Sequence, residues 1–406
     1  MRLSMLRRMM LQLLLICTVA LTVSGQQEDT DGCSWGRQTL PLLLDTHVEI
    51  LNKPLFREEQ QLVDVRDGPR TAGQSDPERM LGYETLYENG TCTHTDVELQ
   101  GFSMSSARGG SGKRRKRQVY GADGRFVITD SNFITNYPFS TAVRLSSGCS
   151  GVLVSSKHVL TAAHCIHDGR FYLNSAKRLK VGLLQLKTKR RRKGEKGKKR
   201  RRRKEVGMEK VRRKGGVKRV RRGVKPKQPV FRWTRIKQMK IPQGWIQSTT
   251  TVSRDYDYAL LELKRPVQMK PMELGVAPSA STPTRIHFSG YDADKNLLNG
   301  SGQEKVIYRF CPVVEESDDL MYQHCDAQDG AAGAGVYIRV RDSTKEGKWQ
   351  RRVIGVFSGH RWLEEKEEEE DGALQGDFNI AVRITPPKYA QICHWIHENP
   401  SRCREV

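Results

Sequence analysis

Past residue 25 the chain has no apolar run near the roughly 20 residues that a spanning helix needs, so no membrane span is expected there. It has no CxxC pair and no clustered His/Cys spacing of the structural-zinc kind, so the expected list of metals and cofactors is empty. Charge is also missing where the total suggests it. The net charge is +24, yet Lys187 to Lys227 alone holds 24 Lys/Arg against Glu195, Glu205 and Glu209. That segment is 24 − 3 = +21, leaving +3 for the rest, so the basicity belongs to one stretch and says little about the fold.

What is present begins with a leader. Arg2, Arg7 and Arg8 precede the apolar run Leu11 to Leu21, and Val23-Ser24-Gly25 offers small residues for cleavage after Gly25. Residues 1–25 are therefore expected to be a signal peptide and the product to be secreted and extracellular. Of nine cysteines Cys17 leaves with the leader, and the remaining 9 − 1 = 8 form an even set that favours disulfides in an oxidising compartment. The sequons at Asn89 and Asn299 fit the same compartment as glycosylation sites.

Residues 26–117 read as a pro-segment, mixed and polar, with short strands expected at Tyr83–Tyr87 and Val97–Phe102 and a pairing of Cys33 with Cys92. It ends on Lys113-Arg114-Arg115-Lys116-Arg117 after a Gly/Ser-rich stretch, which suits a furin-type convertase cutting after Arg117. Residues 118–406 change character. Short apolar runs separated by turn residues, among them Ser140–Leu145, Gly151–Ser155, His158–Ala162, Tyr258–Leu263, Lys305–Phe310, Gly335–Val340 and Arg352–Ser358, indicate an all-β barrel or sandwich. Tyr389, Ile392, Cys393 and Ile396 recur at helical spacing behind Pro386-Pro387, so a C-terminal helix is expected. Two biased tracts interrupt the β pattern. One is the basic insert at about 187–229, read as a disordered loop, and the other is the acidic run Glu364–Asp371.

Serine proteolysis needs a hydroxyl nucleophile, a histidine to take its proton, a buried carboxylate to orient the histidine, and donors for the oxyanion. Thr161-Ala162-Ala163-His164-Cys165 follows an apolar run, and Cys149 with Cys165 frames a hairpin that a disulfide could staple. His167 reads as a surface residue. Asp255-Tyr256-Asp257-Tyr258-Ala259-Leu260-Leu261 offers two carboxylates. Cys325-Asp326-Ala327-Gln328-Asp329-Gly330-Ala331-Ala332-Gly333-Ala334-Gly335-Val336 is a glycine-rich turn ahead of a strand, and no Ser, Thr or Cys lies from Asp326 to Tyr337.

These three segments, in this order, resemble the chymotrypsin/trypsin family, and the Cys149-Ser150-Gly151 context is also similar to bacterial glutamyl endopeptidases. The resemblance implies two six-stranded antiparallel β-barrels with a C-terminal helix. It implies that His164 is the general base, that Asp257 rather than Asp255 is the orienting carboxylate, and that Ser358, in a strand lining the specificity pocket, bonds it. The family's serine maps to Ala332, its oxyanion glycine to Gly330, and the aspartate that pairs with a freed N-terminus to Ala331. The expectation is a protease homologue that does not cleave. Cys149–Cys165, Cys311–Cys325 and Cys393–Cys403 are the expected bridges. The remnant cleft is a candidate site for a protein or peptide. The insert would attract polyanions by counterion release, outside the cell foremost heparan sulfate. Nucleic acid fits its composition too, but the leader, the cysteines and the lack of interleaved aromatics argue against it.

Overall fold

The computed structural model describes residues 40–52, 54–57, 77–101, 124–186, 229–246, 254–278, 284–294, 305–341, 348–363 and 376–404. Before the barrels come β1 (Leu42–Leu51), β2 (Phe56–Arg57), the short helix α1 (Pro77–Leu81), β3 (Tyr83–Tyr87) and β4 (Cys92–Gln100). β4 alternates buried and exposed side chains from Thr95 onward, the mark of a strand with one face on a core.

The first barrel is built from β6 (Ala142–Leu145), β7 (Ser150–Leu153), β8 (His158–Thr161), β10 (Lys180–Leu186), β11 (Pro229–Pro242) and β12 (Ala259–Leu263). Its strands run β11-β10-β6-β7-β8-β12, and pairing of β11 with β12 closes the ring. β5 (Phe126–Ile128) and β9 (Tyr172–Leu173) lie outside that ring. The second barrel uses β14 (Arg285–Gly290), β15 (Val306–Glu316), β16 (Leu320–Gln323), β17 (Gly335–Arg341), β18 (Trp349–Leu363) and β19 (Gly376–Arg383). Its order is β18-β17-β14-β15-β16-β19, closed by β18 with β19, while β13 (Glu273–Leu274) adds to β18 and β5 to β15. The chain thus folds as two closed six-stranded antiparallel barrels, as the family resemblance implies. Val143, Leu145, Val159, Leu160, Val181 and Leu261 fill the first core, and Ile286, Phe288, Val336, Ile354, Val356 and Ile380 the second.

A short helix, α2 (Ser131–Ile134), is capped by Asp130, which accepts from the Asn132 and Phe133 N–H groups. The C-terminal helix α3 (Pro386–His397) starts on its prolines and ends where Glu398 turns left-handed at φ +51°. The structure joins Cys149 to Cys165, Cys311 to Cys325 and Cys393 to Cys403, with Cα separations of 6.2, 5.5 and 5.8 Å. Closing loops of this size removes about 3 kcal/mol of unfolded-chain entropy each. Cys92 is a free, buried thiol that burial and the Glu84 charge push up to about 12. Its expected partner Cys33 lies outside the described residues.

One unit holds Gly36–Ile338 with Arg351–Val406, and the first barrel, the site and the second barrel apart from the end of β17 and the start of β18 lie in it. The other holds Met1–Trp35 with Arg339–Gln350, where Arg339 and Arg341 stand 4.8 and 5.0 Å from the Trp349 ring centre.

Among the described residues before Arg117, β3 pairs with β11, and β4 and β1 extend the same sheet.

Candidate active site

β8 ends at Thr161, and the chain tightens into a 3-10 turn over Ala163–Cys165 that the Cys149–Cys165 bridge holds in place. This puts the His164 side chain at the barrel surface, 21% exposed, against Asp257, which is 1% exposed just ahead of β12. Asp257 Oδ1 accepts the His164 backbone N–H at 2.9 Å, and Oδ2 lies 2.7 Å from His164 Nδ1. Ser358 Oγ, from β18, donates to the same Oδ2. Asp257, and not Asp255, therefore meets the histidine. A carboxylate only accepts, so in the neutral ring the proton sits on Nδ1 and Nε2 carries the lone pair. Nε2 lies 3.8 Å from Cys165 Sγ, itself 4.0 Å from the Ala332 carbonyl oxygen.

Burial disfavours charge on both partners, yet their mutual attraction outweighs it. The His164 imidazole is held above its ordinary value by the Asp257 charge and hydrogen bond, with Arg254 pulling the other way. The Asp257 carboxyl is held below its ordinary value by His164 and by the Ser358 and backbone hydrogen bonds. The arrangement is an oriented imidazole base on a buried carboxylate.

The facing turn is braced through its backbone. The Ser150 N–H donates to the Ala332 carbonyl at 2.8 Å, and Ser150 Oγ to the Gly330 carbonyl at 2.7 Å. The Gly333 N–H donates to the Phe357 carbonyl, and the Phe357 N–H to the Ala334 carbonyl. Gly330 and Gly333 sit at φ +93° and +83°, and a Cβ on Gly330 would strike the Tyr291 carbonyl oxygen. On Gly333 it would strike Thr161 Oγ1 and the Ser150 carbonyl. Ala331 and Ala334 are fully buried, while Ala332 is half-buried between them. The turn thus keeps its backbone shape and carries three methyl groups.

Cys149, His164 and Cys165 have ligand atoms within 4.8 Å of one another, but the two sulfurs are bonded to each other and neither is a thiolate, so the triplet is not a ligand set. Asn89 is exposed in a tight turn in which its Oδ1 accepts the Thr91 N–H at 3.0 Å. Gly25, Arg117, Asn299 and Lys187–Lys227 lie outside the described residues.

One reading is corrected. His167, expected at the surface, is 2% exposed, with its ring edge-on to Tyr172 at 4.7 Å. Burial pushes it down to about 4, so it is neutral, and its Nδ1 accepts the Gly169 N–H at 3.0 Å. Nothing in the spacing after His164 shows that β2 and β9 pair over this loop.

Two features were not read from the sequence. Trp245 packs its ring 6.5 Å from that of His164 and donates its indole N–H to the His167 carbonyl at 3.0 Å. Behind the turn, the buried Asp292 Oδ2 accepts from Arg309 Nη2 and, at 3.0 Å, from Arg125 Nη1. Arg309 Nε also donates to the Asp326 carbonyl at 2.7 Å, and the Gly124 N–H to Asp326 Oδ2 at 2.7 Å. A lone arginine amid Val306-Ile307-Tyr308-Arg309-Phe310 was the available signal, since a buried cation needs a partner.

The protein family described as Trypsin matches residues 127–309. The mouse (Mus musculus) protein named inactive serine protease 35 is 41% identical over 402 residues, covering 93% of this chain and 95% of that protein. The human (Homo sapiens) protein named serine protease 23 is 43% identical over 389 residues, covering 92% of each. The structure titled "Structure of Glu endopeptidase in complex with MPD" overlaps at 15% identity and a TM-score of 0.44, covering 68% of this chain and 99% of that one.

Proposed function

We proceed from the fact that this chain belongs to the trypsin-like family that includes inactive serine protease 35 and serine protease 23, and we propose that it is a secreted, catalytically inactive member with Ala332 at the nucleophile position. One observation carries this reading. The glycine-framed turn after Cys325 holds no Ser, Thr or Cys from Asp326 to Tyr337, and the nucleophile position in it is a methyl group. A methyl group cannot attack a carbonyl, and losing the nucleophile from a triad costs on the order of 10⁶ in turnover. The backbone N–H groups of Gly330 and Ala332 are remnant oxyanion donors, and such groups with binding sustain at most roughly 10³–10⁴ over water. Ala331 brings no carboxylate to pair with a new N-terminus, so cutting after Arg117 is processing without zymogen activation.

The role left to such a protein is binding. The +21 of Lys187–Lys227 supports an extracellular polyanion such as heparan sulfate as its partner, and the cleft between the barrels is the site for a peptide or protein.

The test is labelling by a fluorophosphonate probe. The secreted wild-type chain is expected to take no label, and Ala332→Ser to take label in a His164-dependent way. Covalent adduct on the wild type, mapped to any residue of the cleft, overturns the reading in favour of an unconventional endopeptidase. Retention on a heparin column that falls with salt and disappears on deleting Lys187–Lys227 checks the partner. Retention unchanged by the deletion rejects it.

A further inference from the structure

A segment ahead of a multibasic site is ordinarily expected to leave once the site is cut. The contacts of residues 40–101 point elsewhere. β10 covers one edge of β11 only as far as Arg235. From Gln238 to Pro242 that edge is taken by β3, paired Tyr87 to Gln238 through Tyr83 to Pro242. Without β3, five residues of a 14-residue barrel strand would present an unpaired edge. β4 then pairs with β3, and β1 with β4.

The same segment is seated on the C-terminal helix. Tyr83 meets Trp395 edge-on at 5.3 Å, and Asp45 Oδ1 lies 3.0 Å from both the Tyr83 hydroxyl and His394 Nε2. Gln391 donates to the Leu81 carbonyl and accepts from the Tyr258 hydroxyl at 2.5 Å. Tyr258 is the residue after Asp257. Leu43, Leu81, Tyr83 and Leu86 are each 3% exposed or less, so the seat is apolar as well as hydrogen-bonded.

The contact reaches the site. The Pro242–Trp245 corner is held by the segment's own carbonyls. Gly82 accepts the Gln243 N–H at 2.5 Å, and Met80 the Gly244 N–H at 2.9 Å. That corner carries Trp245 to its place beside His164. On the other flank of Trp245 the Leu55 carbonyl accepts the Tyr172 N–H at 3.2 Å, where β2 pairs with β9 next to His167.

No disulfide ties this segment to the rest. The six cysteines after Arg117 pair among themselves, so Cys33 and Cys92 have no partner beyond it.

We propose that residues 40–101 are a permanent subunit of the two-barrel unit, which stays bound without a covalent link after the chain is cut between 102 and 123 and which holds the Trp245 corner of the cleft in place. The segment is part of the binding surface, and scission converts one chain into two without uncovering anything.

The experiment uses the full secreted chain. Its multibasic run is replaced so that host convertases leave it whole, and a site for one sequence-specific protease is placed between 105 and 112. After complete cutting, a non-reducing denaturing gel separates the two polypeptides. Size exclusion in 0.15 M and in 1 M salt is expected to elute them together at equal stoichiometry. Separate elution at either salt overturns the proposal. Hydrogen exchange in peptides spanning 238–246 and 167–173 decides the second half. Rates within about threefold of the uncut protein are expected, since opening there stays coupled to the whole fold. A rise of about a hundredfold on cutting, with the chains still together, overturns the positioning role. This outcome is independent of whether the wild type hydrolyses anything.

Discussion

On the histidine side of the site, side chains carry the structure. Asp257 accepts three hydrogen bonds, two of them from His164 and one from Ser358, at a position 1% exposed. On the turn side, the backbone carries it. Ala332 gives its carbonyl to Ser150, Gly330 and Gly333 supply the positive φ, and the side chains are methyls. The difference separates two kinds of persistence. A buried carboxylate with its donors cannot be removed without leaving N–H and O–H groups unpaired, so the His–Asp pair persists for folding whether or not the protein cleaves. At position 332 only the carbonyl is held by a partner, and the side chain makes no polar contact. His164 and Asp257 are therefore weak witnesses for activity, and the turn is the strong one.

The comparison breaks most easily at Asp257. Asp257→Ala should cost about 3–5 kcal/mol of unfolding free energy, the range for removing one partner of a buried pair. Chemical denaturation at pH 5.5 checks this, and a loss below about 1 kcal/mol would mean the pair is not fold-coupled. The pH dependence sharpens it. The depressed Asp257 contributes stability that is complete above its unfolded value, about 3.9, and is lost as pH falls through its folded value. The raised His164 contributes stability that is complete below its unfolded value, about 6.5, and is lost as pH rises through its folded value. The gap between wild type and Asp257→Asn should therefore be widest between about pH 4 and 6.5. In Asp257→Asn, with the charge gone, burial wins and the His164 titration followed by NMR should move down.

On the turn side, the prediction concerns backbone. Gly333→Ala puts a Cβ into Thr161 Oγ1 and the Ser150 carbonyl at φ +83°, and should cost about 2–4 kcal/mol by thermal or denaturant unfolding. A neutral Gly333→Ala would mean that the turn's shape is not held as described.

The parts legible in the sequence are those encoded in short windows. Thr161–Cys165, Asp257 ahead of the Leu260-Leu261 pair, the glycine spacing at 330 and 333, and the proline-started helix each follow from a few adjacent residues. What stayed hidden is set by partners far apart in the chain. Tyr83–Tyr87 reads as a strand, but nothing local says that it pairs with Gln238–Pro242, beyond a highly charged insert. The burial of His167 goes with its bridge to Tyr172, on the strand that β2 pairs with, and the set of Arg125, Asp292 and Arg309 joins charges from different elements. Periodicity reveals that a face is buried and leaves open which other segment buries it.

A second histidine tests whether fold coupling on this side extends past the pair. His167 is neutral when folded, at about 4, and takes its proton at about 6.5 when unfolded. The unfolded chain binds more protons between those values, so stability falls as pH drops from about 6.5 to 4. His167→Asn keeps an acceptor for the Gly169 N–H and does not titrate. It should lose less stability than the wild type over that interval, by on the order of 2–3 kcal/mol in denaturant unfolding at stepped pH. Parallel curves would place the acid sensitivity elsewhere.

The smallest expected effect is the most pointed. Ala332→Ser adds one hydroxyl to a residue that is only half-buried and whose carbonyl, not its side chain, is held by Ser150. Its unfolding free energy should stay within about 0.5 kcal/mol of the wild type. If it does, serine at this position was never under structural demand. A loss of about 2 kcal/mol or more would say the opposite, that the turn has repacked around its methyl and the two sides of the site are no longer independent.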